Sequence, residues 1–192
     1  MRVVVGVTGA SGAIYARRLL EVLKAQQIKV DLIVTAPAAY IIQTELGIPS
    51  TELQKLATTA WDISDFAADI ASGSQARDAL VVLPCTMNTV AKMAHGISDN
   101  LLLRCFEVML KENRQIIIVP RETPLQAVHL ENLLRLRRMG VTIIPPITAF
   151  YYQPTSVLEL VDYIIAKILD HLQVPHTLVQ HWKKPEGGAG DD

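Results

Sequence analysis

The hydrophobic pattern begins with a β-branched run at residues 2–7, RVVVGV. Such a run predicts a strand. A glycine-rich turn follows, then a helical pattern at 14–25 and a second strand pattern at 29–35. Strand, helix and strand in that order make a crossover unit and imply parallel pairing. Residues 37–46 predict a helix and 51–58 a shorter one, whereas 61–74 predict an irregular segment rich in small residues. A continuous apolar run, 79–83, predicts a strand buried on both faces, followed by helices at about 86–94 and 100–112. The pattern continues with a strand at 115–119, a helix at about 125–139, a strand at 141–144 and a proline-rich loop. The last helix opens with Ser156 and Glu159 at capping-box spacing, and Val157, Leu160, Val161, Ile164, Ile165 and Ile168 recur at helical spacing. Residues 183–192 carry no core-forming side chain and are expected to be a mobile tail. Five strands alternating with helices predict a Rossmann-like or flavodoxin-like doubly wound α/β fold. Three layers and a single domain over residues 1–182 are expected, with ligands beyond the strands' carboxyl ends.

Composition changes this picture in two respects. Half of the 192 residues are hydrophobic and the mean hydropathy is +0.27, so further surface is expected to be buried between copies of the chain. The net charge of −1, from 18 basic and 19 acidic residues spread along the chain, provides no basic face for nucleic acid. The uncharged stretch 140–158 contains Pro145, Pro146 and Pro154, which argues for strand and loop over a membrane span. Cys85 and Cys105 form neither a metal spacing nor a disulfide framework. With no signal-peptide pattern at the start of the sequence, a cytoplasmic protein is the expectation.

Candidate chemistry clusters where strands end. In GVTGASGA, Gly6, Gly9 and Gly12 allow a tight turn, the following helix aims N–H groups at an anion, and Ser11 adds a hydroxyl. The same loop also reads as a plain strand-to-helix turn. Asp31, at the distance of a ribose-binding acid, lies inside the second strand, which disfavours NAD. PCTMNT gathers Thr86, Asn88 and Thr89 after the buried strand, where Thr86 also reads as a helix cap. Cys85 beside them reads as a small apolar filler in preference to a nucleophile. VPRETP brings Arg121 and Glu122 to the same edge, whereas His129 and Glu131 read as structural. AFYYQP and Lys167 offer an aromatic loop and a cation.

Taken in order, TGASGA, PCTMNT, LKEN, VPRETPL, HLENLLRL and FYYQP resemble the successive motifs of the UbiX-type flavin prenyltransferases, from about Val3 to Trp182. The resemblance implies transfer of a dimethylallyl group from dimethylallyl monophosphate to N5 and C6 of reduced FMN, without a metal. Phosphate is released, and the product, prenylated FMN, serves UbiD-type decarboxylases. A large homo-oligomer, a dodecamer in the family, is implied too. Gly9, Ala10 and Ser11 are assigned to FMN, with Thr35 where relatives more often carry serine. Thr86, Met87, Asn88 and Thr89 would line the flavin site, Arg104 would add a basic position, and Arg121 would bind FMN while facing the second substrate. Lys111, Arg121, Glu122, Tyr151 and Lys167 match positions that hold or act on the prenyl phosphate, with Glu122, Lys111 and Ser11 as the catalytic set. Counting back from Ser72, Phe66 falls where some members place a tryptophan that walls the prenyl chain; Trp61 is the alternative. The chain has no aspartate-rich motif for magnesium, which suits a monophosphate handled by basic side chains. Two rivals remain: an FMN-dependent cysteine decarboxylase of the related fold, and a non-catalytic flavin-binding subunit. The first relies on an early histidine, whereas the first here is His95; the second would lack the cations Lys111, Arg121 and Lys167.

Overall fold

The computed structural model describes residues 1–179, which form two compact units, Met1–Pro146 and the chain from Ile147. Among the described residues, the first unit has strands β1 (Arg2–Val7), β2 (Lys29–Val34), β3 (Thr59–Trp61), β4 (Ala79–Cys85), β5 (Gln115–Pro120) and β6 (Thr142–Ile143). Its helices are α1 (Ala13–Ala25), α2 (Ala36–Leu46), α3 (Ser50–Gln54), α4 (Met87–Ala94), α5 (Leu101–Lys111) and α6 (Ala127–Arg138). All strands pair in parallel in the order β3-β2-β1-β4-β5-β6, with Val5 opposite both Leu32 and Val81. The order reverses between β1 and β4. Right-handed crossovers then send the helices that follow these two strands to opposite faces, giving the doubly wound, layered α/β arrangement expected. The apolar runs owe their lack of alternation to this layering: β4 is buried along its whole length.

Several helices begin one residue later than their polar signals, because those residues are caps. Thr35 Oγ1 accepts from Ala38 N at 3.3 Å, Thr86 Oγ1 from Thr89 N at 3.1 Å, and Asn100 Oδ1 from Leu103 N at 3.0 Å. The short helix α3 stops at Gln54, well before residue 58. The chain leaves it to pair with β2: Thr58 N donates to the Val30 carbonyl at 2.9 Å, and Val30 N donates to Thr58 Oγ1 at 3.0 Å. This pairing starts β3, an edge strand of three residues that was expected to be irregular. Three residues are too few to carry a period-two pattern.

Asp31 on β2 is fully buried, and its carboxylate is taken up by the chain itself. It accepts from Arg2 Nε and Nη2 at 2.7 Å each, from Arg77 Nε at 2.6 Å and from Trp61 Nε1 at 2.9 Å. One carboxylate thus ties together β1, β2, β3 and the entry to β4.

In the second unit, α7 (Val157–Leu172) starts at Ser156, whose Oγ accepts from Glu159 N at 3.2 Å. The Glu159 carboxylate reaches back one residue further than a capping box requires, taking Thr155 N at 2.7 Å and Thr155 Oγ1 at 2.9 Å. Val161, Ile164, Ile165 and Ile168 form the buried stripe, while Val157 in the first turn is exposed. Trp182 and the expected tail 183–192 lie outside the described residues. Among those residues no helix is long and apolar enough to cross a membrane.

Candidate functional site

The crevice beyond the carboxyl ends of β1 and β4 is built from the loops that follow them. Thr8 knits the two together: its Oγ1 donates to the Pro84 carbonyl at 2.8 Å and accepts from Thr86 N at 2.8 Å. No sequence signal marked Thr8, since the pattern shows only a threonine between apolar residues and glycines. Gly9 is required by packing, because a Cβ there would lie 2.4 Å from Pro37 Cβ, and Gly12 has φ +111. A cleft of ≈ 320 Å³ results, lined by Gly9, Thr35, Thr86, Asn88, Thr89 and Lys92 among others. Ala10 and Met87 are buried, so Met87 belongs to the core and offers only its backbone to a ligand.

The anion at the α1 N-terminus belongs to the chain itself. Glu45, near the end of α2, accepts from Gly12 N at 2.9 Å and from Ala13 N at 2.8 Å, and takes a bond from the Ser11 side chain. Burial works to raise the Glu45 pKa. The bonds from Ser11, Gly12 and Ala13, with the charge of Arg121, outweigh it and hold the carboxyl below its ordinary range. The anion expected from the glycine loop is therefore a side chain, and a ligand phosphate must find its donors elsewhere. Sequence reasoning missed Glu45 because ELG at the end of an exposed helix reads as ordinary surface.

Arg121 and Glu122 follow β5 at the same edge and are exposed. Arg121 N donates to the Cys85 carbonyl at 3.1 Å, and a Glu122 carboxylate oxygen accepts from Thr123 N at 3.1 Å. The Cys85 side chain is fully buried, and burial pushes its thiol far above the ordinary range. It is a packing residue, as expected, with no thiolate to offer. Burial likewise pushes Cys105 up to about 12.

Arg104 and Lys111 on α5 do not join this cluster. Arg104 Nε donates to the Ala71 carbonyl at 3.2 Å, and Lys111 lies 3.4 Å from the Glu112 carboxylate. Both line a separate hollow of ≈ 470 Å³ beside α4 and α6. Lys111 ends α5 just before β5 begins, whereas Glu122 lies just past its other end. At about 3.3 Å per strand residue that separates them by roughly 20 Å. Within one chain, Lys111 and Glu122 cannot grip one phosphate.

Phe66 is 52 % exposed in the irregular segment after β3. Trp61 is not free to replace it, since its indole is bound to Asp31 and it faces another hollow, ≈ 330 Å³, with Ser50, Gln54 and Asp62.

In the second unit Tyr151 sits edge-on to Tyr152, with centroids 5.5 Å apart, and to Tyr163 at 6.4 Å. Lys167 Nζ lies 5.6 Å from the Tyr163 ring centre and 3.9 Å from the Asp170 carboxylate. Tyr151 and Lys167, far apart in sequence, thus share one aromatic cluster. Among the described residues no three His, Cys, Asp or Glu side chains gather as metal ligands.

A family model described as Flavoprotein matches residues 1–174. A flavin prenyltransferase UbiX from Methanocaldococcus jannaschii is 44 % identical over 182 residues, covering 95 % of this chain and 98 % of that protein. The solved dodecameric FMN-dependent UbiX-like decarboxylase from Escherichia coli O157:H7 superposes with a TM-score of 0.94 at 37 % identity, over 96 % of this chain and 100 % of its own. AnUbiX (PadA1), solved with FMN and dimethylallyl pyrophosphate, also gives 0.94, at 35 % identity over 96 % and 98 % of the two chains.

Proposed function

The chain belongs to the Flavoprotein family and, within it, to the UbiX-type flavin prenyltransferases, and from this we propose the reaction and the residues that perform it. A dimethylallyl group passes from its phosphate ester to reduced FMN, giving prenylated FMN and phosphate. The observation that carries the assignment of residues is the hydroxyl-lined cleft at the strand-order reversal, with Arg121 and Glu122 at the same edge. Gly9, Ala10, Ser11, Thr35, Asn88, Thr89, Arg121 and the backbone at Thr86 and Met87 hold the flavin. The reduced flavin supplies the nucleophilic N5 and the ring carbon C6.

The protein's own contribution is electrostatic and positional. Breaking an allylic C–O bond develops positive charge on carbon and negative charge on phosphate. Arg121 and Lys167 stabilise the departing phosphate in a site from which water is excluded. Tyr151 donates to it, and Glu122 carries a proton between phosphate and flavin. Arg104 and Lys111 complete the clamp from another copy of the chain, as the roughly 20 Å from Lys111 to Glu122 requires. The dodecameric E. coli neighbour makes such an oligomer reasonable. Phe66 walls the prenyl chain. The recipient of the product is a UbiD-type decarboxylase, and two free thiols suit a cytoplasmic setting. A cysteine-decarboxylase role lacks its early histidine: His95, the first in the chain, caps α4 with Nδ1 2.9 Å from the Ala91 carbonyl.

Anaerobic incubation with reduced FMN and dimethylallyl monophosphate, followed by mass analysis of the flavin, is expected to show one added dimethylallyl unit. Unmodified flavin in the presence of both substrates would overturn the reaction. A second expectation concerns Lys167→Ala. Loss of one charge-assisted hydrogen bond to the prenyl phosphate raises the prenyl donor's KM by roughly 10- to 100-fold and leaves FMN affinity unchanged. Wild-type dependence on the donor in steady-state kinetics would remove Lys167 from the clamp.

A further inference from the structure

The cleft beside β1 and β4 has one charged lining residue among those described, Lys92, in the last turn of α4. Thr8 spends its hydroxyl proton on the Pro84 carbonyl and Asn100 donates to Asp99, whereas the remaining threonines keep donors for the cleft. Thr35 Oγ1 accepts from Ala38 N, so its own proton remains available. Thr86 and Thr89 share one hydroxyl bond at 2.9 Å, which leaves the second hydroxyl proton free to point outward. A hollow that presents hydroxyl protons, the Asn88 amide and a single ammonium is complementary to an anion. The helix N-terminus at this edge is already engaged by the chain itself. Glu45 occupies the α1 N-terminus and draws on the charge of Arg121.

Lys92 is ion-paired with Asp99, whose carboxylate is about half exposed and does not line the cleft. We propose that Lys92 is the cation that seats the flavin's phosphate in this cleft, exchanging Asp99 for the phosphate on binding; this rests on the flavin-binding reading above. A phosphate monoester carries nearly two charges near neutral pH, and the partly enclosed cleft screens it less than solvent screens the Asp99 pair. The phosphate therefore outcompetes a single, solvated carboxylate. Asp99 keeps the ammonium oriented at the cleft wall until then.

Comparing FMN with riboflavin, which differ only in the phosphate, isolates the interaction. Oxidised FMN and riboflavin are titrated separately into the full chain, following flavin fluorescence. Lys92→Met is expected to weaken FMN by roughly 10- to 100-fold and leave riboflavin at its wild-type affinity. Lys92→Arg is expected to retain most of the FMN affinity. Asp99→Asn, which removes the competitor, is expected to bind FMN at least as tightly as wild type, and it carries the test if Lys92→Met does not fold. Equal weakening of both flavins, unchanged FMN affinity in Lys92→Met, or weaker FMN binding in Asp99→Asn would each overturn the role of Lys92. If the wild-type chain bound neither flavin, the flavin reading itself would fall, and this inference with it.

Discussion

Glu122→Gln is expected to retain FMN binding and lose turnover by roughly 10²–10⁴-fold, the usual contribution of a positioned general acid–base group. The substitution is nearly isosteric. Its amide oxygen can still accept from Thr123 N, the 3.1 Å bond that orients the carboxylate, so the loop after β5 should be undisturbed. Glu122 is exposed at the sheet edge and buries nothing on which stability would depend. What the amide cannot do is take up and return a proton. Single-turnover and steady-state rates with reduced FMN would therefore fall together, while flavin titrations would superpose on wild type. Turnover within a factor of two or three of wild type would exclude Glu122 as the proton carrier and leave it a phosphate-site neighbour.

Asp31→Asn is expected to destabilise the fold by about 3–5 kcal/mol, the cost of removing one partner from a buried ion pair. Asp31 is fully buried, Arg77 is 4 % exposed, and Arg77 Nη2 finds no hydrogen-bond partner among the described residues. Neutralising the carboxylate leaves two guanidinium groups without a counter-ion in the same place. A loss of this size is a large fraction of the roughly 5–15 kcal/mol that holds an ordinary domain together. It should appear as a lower urea midpoint at unchanged slope. Burial alone would raise the Asp31 pKa, but the bonds from Arg2, Trp61 and Arg77, with the charge of Arg77, hold it below its ordinary value. The folded-state pKa is thus depressed. The stabilisation is present above the unfolded carboxylate's pKa, about 3.9, and is lost as pH falls through the lower folded value. Wild type should lose this increment on acidification below about pH 4, and the variant should not have it to lose. Equal urea midpoints for the two proteins at pH 7 would show that the cluster contributes nothing net.

The sequence alone determined most of the scaffold, because burial on both faces writes long apolar runs directly into the strands and a repeating stripe into the helices. Residues 79–83 were legible as a strand covered on both faces for that reason, 2–7 as a β-branched run, and the caps Thr86 and Ser156 for their hydroxyls next to helical stripes. The motifs at the strand ends were legible as chemistry because polar side chains there interrupt apolar runs abruptly. Tertiary structure decided what local pattern cannot encode. β3 exists only through its pairing with β2, since three residues carry no period. Glu45 became the anion at the glycine loop through packing of α2 against α1, and Asp31 became a buried hub through contacts with residues 29 and 46 positions away. Lys111 and Glu122, near neighbours in sequence, are driven apart by the rise of β5. Tyr151 and Lys167, sixteen positions apart, meet the same tyrosine ring because a loop folds back along α7. Periodicity records which side of an element is covered; only the folded chain sets which covered or charged groups share one place.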